Sequence, residues 1–300
     1  YDFTRLCVEV RKTTSVKLVS VLHFNPGYTI DLLSVPCVPV GAMNQIISNI
    51  KMIVRFCLMP WLRFKRKKNC NRLYSTVYNG SDATVLLSNS FVLRFQFWIN
   101  RKETEKLHVI PNPLSFPLIE SIPQKKKQLL FVGRLVFSPK RPDYLLEIWK
   151  RIYNKFPDWE LIVIGEGEYK QTLEKIAKLN KLERVKFVGH VAPESYYRDA
   201  SILCMTSTFE GFGMVLIEAQ QFGTIPFAFN SFTALSDIIF DGVNGCTIIP
   251  YDLDQYASRL MEVMSNDDER IWLANNAFEK AKRFRLDVIC EHWIQLFENI

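Results

Sequence analysis

The 300-residue chain reads as an α/β protein built on parallel sheets. Two observations predict this. From Lys125 onward, continuous apolar runs alternate with amphipathic ones, the pattern of buried strands covered by helices on both faces. The ends of those runs also collect residues suited to ligand contact (Gly133, Gly165, Gly189 and Glu210), and ligands of such sheets bind outside the carboxyl ends of the strands.

Taken in order, the first clear strand lies over 16–22, with His23 directly after it. Between Ile46 and Trp61 the apolar residues Ile46, Ile47, Ile50, Ile53, Val54, Cys57, Leu58 and Trp61 keep helical spacing, with Lys51 and Arg55 opposite. A basic run follows at once: Arg63, Lys65, Arg66, Lys67 and Lys68. Pro111, Pro113, Pro117 and Pro123, then Lys125, Lys126 and Lys127, mark a linker. Beyond it, strands are expected over 128–132, 160–164, 185–188, 201–205, 225–229 and 245–248. Helices are expected over 142–156, 169–180, 194–199, 214–222, 235–240, 253–264, 268–283 and 286–300. This divides the chain into residues 1–123, 124–285 and a closing helix, 286–300.

Composition narrows the class. Apolar and aromatic contents of 48% and 13% are those of a globular protein. The seven cysteines are odd in number, scattered and without paired spacing, which argues against a disulfide framework or a zinc site and for a reducing, cytoplasmic setting. No signal peptide or membrane-spanning run stands out. The net charge of +7 is uneven: residues 1–115 hold 16 Lys/Arg against 6 Asp/Glu, so the remainder is net acidic.

The densest chemistry lies in Phe209-Glu210-Gly211-Phe212-Gly213-Met214, with Glu218 eight positions after Glu210. The segment is a strand-to-helix turn. Gly211 and Gly213 let a ligand approach bare N–H groups at the positive end of the helix dipole, where a diphosphate is favoured. Two carboxylates beside a phosphate cradle suit hydroxyl groups, so the pair points to a sugar nucleotide. Taken singly, Glu210 reads as a capping carboxylate and Glu218 as a solvent-facing helix residue. Gly165-Glu166-Gly167 has the start of a dinucleotide fingerprint, but Lys170 occupies the place of its third glycine.

These motifs together resemble the retaining glycosyltransferases of the GT-B fold, family 4. The glutamate pair with its intervening Gly-Phe-Gly is that family's signature. Leu130-Phe131-Val132-Gly133-Arg134-Leu135 followed by Lys140-Arg141-Pro142-Asp143 is similar to its preceding element. The runs 161–167, 185–191 and 241–245 follow in the family's order. The resemblance implies two Rossmann-like domains with parallel sheets facing across a cleft, and a first domain incomplete in this chain. It also implies transfer of a hexose-type sugar, with retention and without a metal or other cofactor, from a UDP- or GDP-sugar. The acceptor would be a saccharide or lipid-linked hydroxyl in cell-surface polysaccharide or lipopolysaccharide synthesis.

By the same resemblance, Arg134 and Lys140 clamp the diphosphate, Glu210 holds the transferred sugar and Glu218 the ribose. Gly133, Gly165, His190, Val191, Gly211, Phe212, Gly213 and Met214 line the donor site, and His23 faces the sugar. The gap from Arg134 to Lys140 is one residue longer than the family's usual pattern, so Arg141 could take the lysine's place. Asp252-Leu253-Asp254 resembles a metal-binding pair of another glycosyltransferase fold, but its position before an amphipathic helix suits an N-cap.

Two other classes stay open, a sugar-nucleotide-binding protein without transfer activity and a sugar-nucleotide epimerase on the same architecture. The segment Ile46–Lys68 reads either as a basic amphipathic element for an anionic membrane surface or as a core-packed helix followed by a solvated loop. Nucleic acid fits less well, because the basic run lacks a recognition fold.

Overall fold

A computed structural model describes residues 14–30, 45–102 and 105–300, and side chains of the first long helix from Leu58 onward. The amphipathic spacing of Ile46 to Cys57, read as side chains, therefore lies outside the described residues. The chain separates into two compact units, one reaching Pro111 and including His292–Ile300, the other Asn112–Glu291.

The first unit contains a parallel sheet in the order β1 (Val19–Leu22), β2 (Ala83–Leu86), β3 (Leu107–Val109). Helix α1 (Gln45–Gly80) and helix α2 (Ser90–Ile99) belong to it. Strand β2 is wholly buried, and Cys70, Tyr74, Val77 and Tyr78 of α1 pack inward with Phe91 and Phe95 of α2. The Tyr74 and Phe95 rings meet at 5.5 Å. The basic run Arg63–Lys68 corrects one expectation. It is part of the 36-residue helix α1 and not a loop, because neither Pro60 nor the charges end the helix.

The second unit is a six-stranded parallel sheet in the order β6-β5-β4-β7-β8-β9. Its strands are β4 (Lys126–Val132), β5 (Glu160–Ile164), β6 (Val185–Gly189), β7 (Ala200–Met205), β8 (Ile225–Phe229) and β9 (Cys246–Ile248). Every residue of β7 and β8 is buried, as strands in the middle of a doubly covered sheet must be. The helices between them are α3 (Pro142–Ile152), α4 (Lys170–Leu179), α5 (Glu194–Asp199), α6 (Met214–Gln221), α7 (Leu235–Ile238), α8 (Leu253–Ser265) and α9 (Asp267–Ala281); α10 (Leu286–Glu298) closes the chain.

Local chemistry sets the ends of these helices. Helix α3 starts on Pro142, carries Asp143 in its first turn and Lys150 and Arg151 in its last, in accord with the helix dipole. It stops at Ile152, short of the expected 156, because a 3-10 turn takes over at Tyr153–Lys155. Asp252 caps α8 by accepting from Gln255 N at 2.8 Å, the role its position suggested. The core lies between sheet and helices, where Trp149 and Trp159 are almost fully enclosed. Among the described residues no helix is long and apolar enough to cross a membrane.

Candidate active site at the strand switch point

Strand order places the site before any side chain is considered. Chain connections run outward from β4 through β5 to β6, then return to β7 beside β4 and run outward the other way. The carboxyl ends of β4 and β7 therefore flank the switch point, where open parallel sheets bind ligands. The loop after β4 carries Gly133, Arg134 and Lys140, and the loop after β7 carries Glu210 to Gly213.

The two loops are tied to each other. Thr208 N donates to Pro139 O at 2.8 Å, and the Thr206 hydroxyl donates to Arg141 O at 2.8 Å. These bonds bring Lys140 Nζ to 2.6 Å from Glu210 Oε1, with side chains only 19% and 13% exposed. The pair unites two of the residues singled out in the sequence. Arg141 faces elsewhere. Its guanidinium makes a bidentate pair with Asp143, at 3.0 and 2.7 Å, and lies between the rings of Phe137 and Tyr144. Arg141 is thus committed to the base of the loop, which leaves Lys140 as the cation beside Glu210. The Arg134 guanidinium is exposed and has no recorded acceptor among the described residues.

Glycines shape the rim. Gly133 N donates to Ile164 O at 3.1 Å, and Gly165 N to Gly189 O at 2.8 Å, so three strand ends are stitched in succession. A Cβ on Gly165 would stand 1.9 Å from Gly133 O, so the close approach of these loops requires glycine there. Gly213 has φ +95° at the start of α6, with no side-chain cap on the helix. Leu216 N donates to Gly213 O at 2.9 Å, so the N–H groups of Met214 and Val215 are the ones at the helix start left without an intrahelical or side-chain acceptor. Phe212 is buried with its ring edge against Phe284, so only its backbone can serve a ligand, while Met214 is half-buried.

Glu218 lies within α6 and is engaged on both oxygens. The Tyr197 hydroxyl donates to Oε2 at 2.9 Å and the Ser115 hydroxyl to Oε1 at 3.0 Å. Neither donor was singled out in the sequence, and no local pattern could have revealed them. His190 and Val191 are exposed after β6. His23 is exposed after β1 in the other unit.

Residues 117–280 match the model of the family described as glycosyl transferases group 1, more than half of the chain. The chain belongs to that family. It is 29% identical over 260 residues to an uncharacterised glycosyltransferase of Haemophilus influenzae, covering 84% of this chain and 71% of that one. It is 31% identical over 172 residues to the amylovoran biosynthesis glycosyltransferase AmsD of Erwinia amylovora, covering 57% and 48%. The structure of Anabaena HepE in complex with UDP and glucose superposes with a TM-score of 0.72 at 16% identity, covering 99% of this chain and 75% of that one. At that identity the likeness shows the GT-B fold of this group 1 chain, as the motifs implied. The chain spans 71% of the length of the Haemophilus influenzae relative and about half of AmsD.

Proposed function

We propose that the group 1 unit binds a UDP- or GDP-linked sugar at the β4–β7 switch point and supports transfer of a hexose-type sugar to a hydroxyl acceptor. The observation that carries this reading is the Lys140–Glu210 pair, 2.6 Å apart beside the uncapped start of α6. A lysine ammonium has three N–H donors, so Lys140 can keep Glu210 and still reach a phosphate oxygen. Glu210 keeps a further oxygen for sugar hydroxyls. Arg134, exposed on the same loop, supplies the second cation against charge that develops on the departing diphosphate. Those cations do the electrostatic work, so the reading calls for no metal.

In this reading Gly133, Gly165, Gly211, Phe212, Gly213 and Met214 present backbone to the donor, and His190 and Val191 border its base. Glu218 meets the ribose. Retention follows if the acceptor hydroxyl attacks the anomeric carbon on the face the diphosphate leaves, passing its proton to a departing phosphate oxygen. No protein nucleophile is then needed. The named role of AmsD in amylovoran biosynthesis supports an acceptor within a cell-surface polysaccharide, and the UDP and glucose bound to HepE support a nucleoside-diphosphate donor.

The deciding experiment screens UDP- and GDP-sugars for thermal stabilisation of the full-length protein and then follows transfer. Glu210→Ala should abolish transfer while free-nucleotide affinity stays within a few fold; equal loss of both rejects the sugar-holding role. Arg134→Ala should slow transfer by about 100- to 1,000-fold without unfolding the protein. Interconversion of free sugar nucleotides without acceptor would favour an epimerase. Binding with neither reaction would favour a binding protein.

A second partner belongs to the same reading. Leu58, Trp61 and Phe64 of α1 are 47%, 56% and 69% exposed, on the side away from buried Cys70, Tyr74 and Val77. Lys65 and Lys68 are exposed at helical spacing with them, and Lys65 Nζ lies 5.0 Å over the Trp61 ring. The helix holds eight Lys/Arg and no acidic residue. An outward face that mixes tryptophan with lysines suits an anionic membrane surface, at about 1 kcal/mol per basic residue near it.

A further inference from the structure

Glu218 is held by two hydroxyls of opposite character. Tyr197 is fully buried; its ring stacks on Phe222 at 6.2 Å and meets Phe116 edge-on at 5.9 Å. Water cannot replace its bond to Glu218, and burial, reinforced by the Glu218 charge, holds the hydroxyl well above the ordinary phenol range. Tyr197 therefore stays a donor throughout the working pH range. Ser115 is exposed, so its bond to Oε1 exchanges with another hydroxyl at little cost.

A carboxylate that must accept two neighbouring hydroxyls has to present both oxygens in one fixed plane. A free glutamate on a helix samples several rotamers and loses that freedom on binding. The bond from Tyr197 removes the loss in advance, and the exposed oxygen stays satisfied by a group that can leave.

We infer that Tyr197 is the positioning residue of Glu218 and that the Ser115 hydroxyl is a placeholder for a ligand hydroxyl. Together they make the carboxylate a preformed acceptor for a vicinal diol. This rests on the reading that Glu218 meets the ribose of the donor. Tyr197 acts through Glu218 and touches no reacting atom. Ser115 stands where the first of the two ligand hydroxyls arrives.

The test measures dissociation constants of UDP, GDP and their 2′,3′-dideoxy counterparts by calorimetry on the full-length protein and on Tyr197→Phe, Ser115→Ala and Glu218→Gln. The native protein should prefer the ribonucleotide by about tenfold or more, as for a charge-assisted hydrogen bond. Tyr197→Phe keeps the ring and should lose most of that preference while dideoxy binding stays unchanged, which doubles as the folding control. Ser115→Ala should bind the ribonucleotide as tightly as the native protein or more so. Equal weakening of both nucleotide forms by Tyr197→Phe, or no weakening of either, overturns the positioning role. A loss in Ser115→Ala matching that in Tyr197→Phe overturns the placeholder. Absence of ribose preference in the native protein, with Glu218→Gln indifferent, instead overturns the assignment of Glu218 itself.

Discussion

Lys140 Nζ and Glu210 Oε1 stand 2.6 Å apart with both side chains more than four-fifths covered, although 70 positions separate them in the chain. Neither can lose its partner cheaply, since the survivor is left charged and poorly solvated. Glu210→Gln should destabilise the protein by about 1–3 kcal/mol. Adding Lys140→Met should then cost less than it does alone, because contacting charges couple. Urea denaturation of the four species checks this, and strict additivity would sink the pairing as an energetic unit.

Gly165 and Gly242 separate a steric demand from a conformational one. Both have positive φ, +143° and +69°, but a Cβ on Gly165 meets Gly133 O at 1.9 Å whereas one on Gly242 meets nothing within 4 Å. Gly165→Ala should cost about 2–5 kcal/mol, strain plus overpacking. Gly242→Ala should cost about 1–2 kcal/mol, strain alone. Similar thermal midpoints for the two variants would contradict the close approach of the strand-end loops.

Lys125 sets a pH dependence. Burial, opposed by the Asp199 charge, brings its ammonium from the ordinary 10.5 down to about 7. Its Nζ donates to Tyr197 O, Arg198 O and the Thr224 hydroxyl at 2.9, 3.1 and 2.9 Å. Between those two values the unfolded chain binds the proton that the folded chain has released. Stability should therefore rise with pH from about 7 toward 9. The buried thiols of Cys204 and Cys246, both raised from the ordinary 9.0 to about 12, oppose this above about 9, where the unfolded chain's thiols ionise and the folded chain's do not. Denaturation midpoints at pH 7 and 8.5 for the native protein and Lys125→Met test it; the native rise should vanish in the variant.

For the outward face of α1, co-sedimentation with vesicles of phosphatidylcholine and phosphatidylglycerol should be strong, and weak with phosphatidylcholine alone. Lys65→Glu with Lys68→Glu should cut binding by about tenfold or more, since two charges near the surface contribute about 1 kcal/mol each. Trp61→Ser should weaken what remains. Vesicle binding indifferent to all three changes would rule this face out, and retention of RNA in place of vesicles would point to nucleic acid.

Much of the second unit was legible because its signals are local. Ile202, Leu203 and Cys204 in β7, or Ile162 and Val163 in β5, are apolar without alternation, and only a strand covered on both faces tolerates that. Gly211 and Gly213, between an apolar run and a helical one, mark a strand-to-helix turn. The choice between Lys140 and Arg141 was not legible. The two are neighbours with the same charge, and what separates them is Asp143 with the rings of Phe137 and Tyr144 around one guanidinium. The extent of α1 was also hidden. Its basic stretch has no buried partner until Cys70, Tyr74 and Val77, where packing, more than propensity, supports the helix.

Residue order alone settled the alternation of strands and helices, the glycine turns at the strand ends and the family, because backbone preference and hydrophobic period act over a few positions. Which charges meet, which cation is withdrawn and which hydroxyls hold Glu218 were decided only in the folded chain. Ser115 is 103 positions from Glu218 and Tyr197 is 21, and bonds across such spans exist only once the sheet and its loops have brought their ends together.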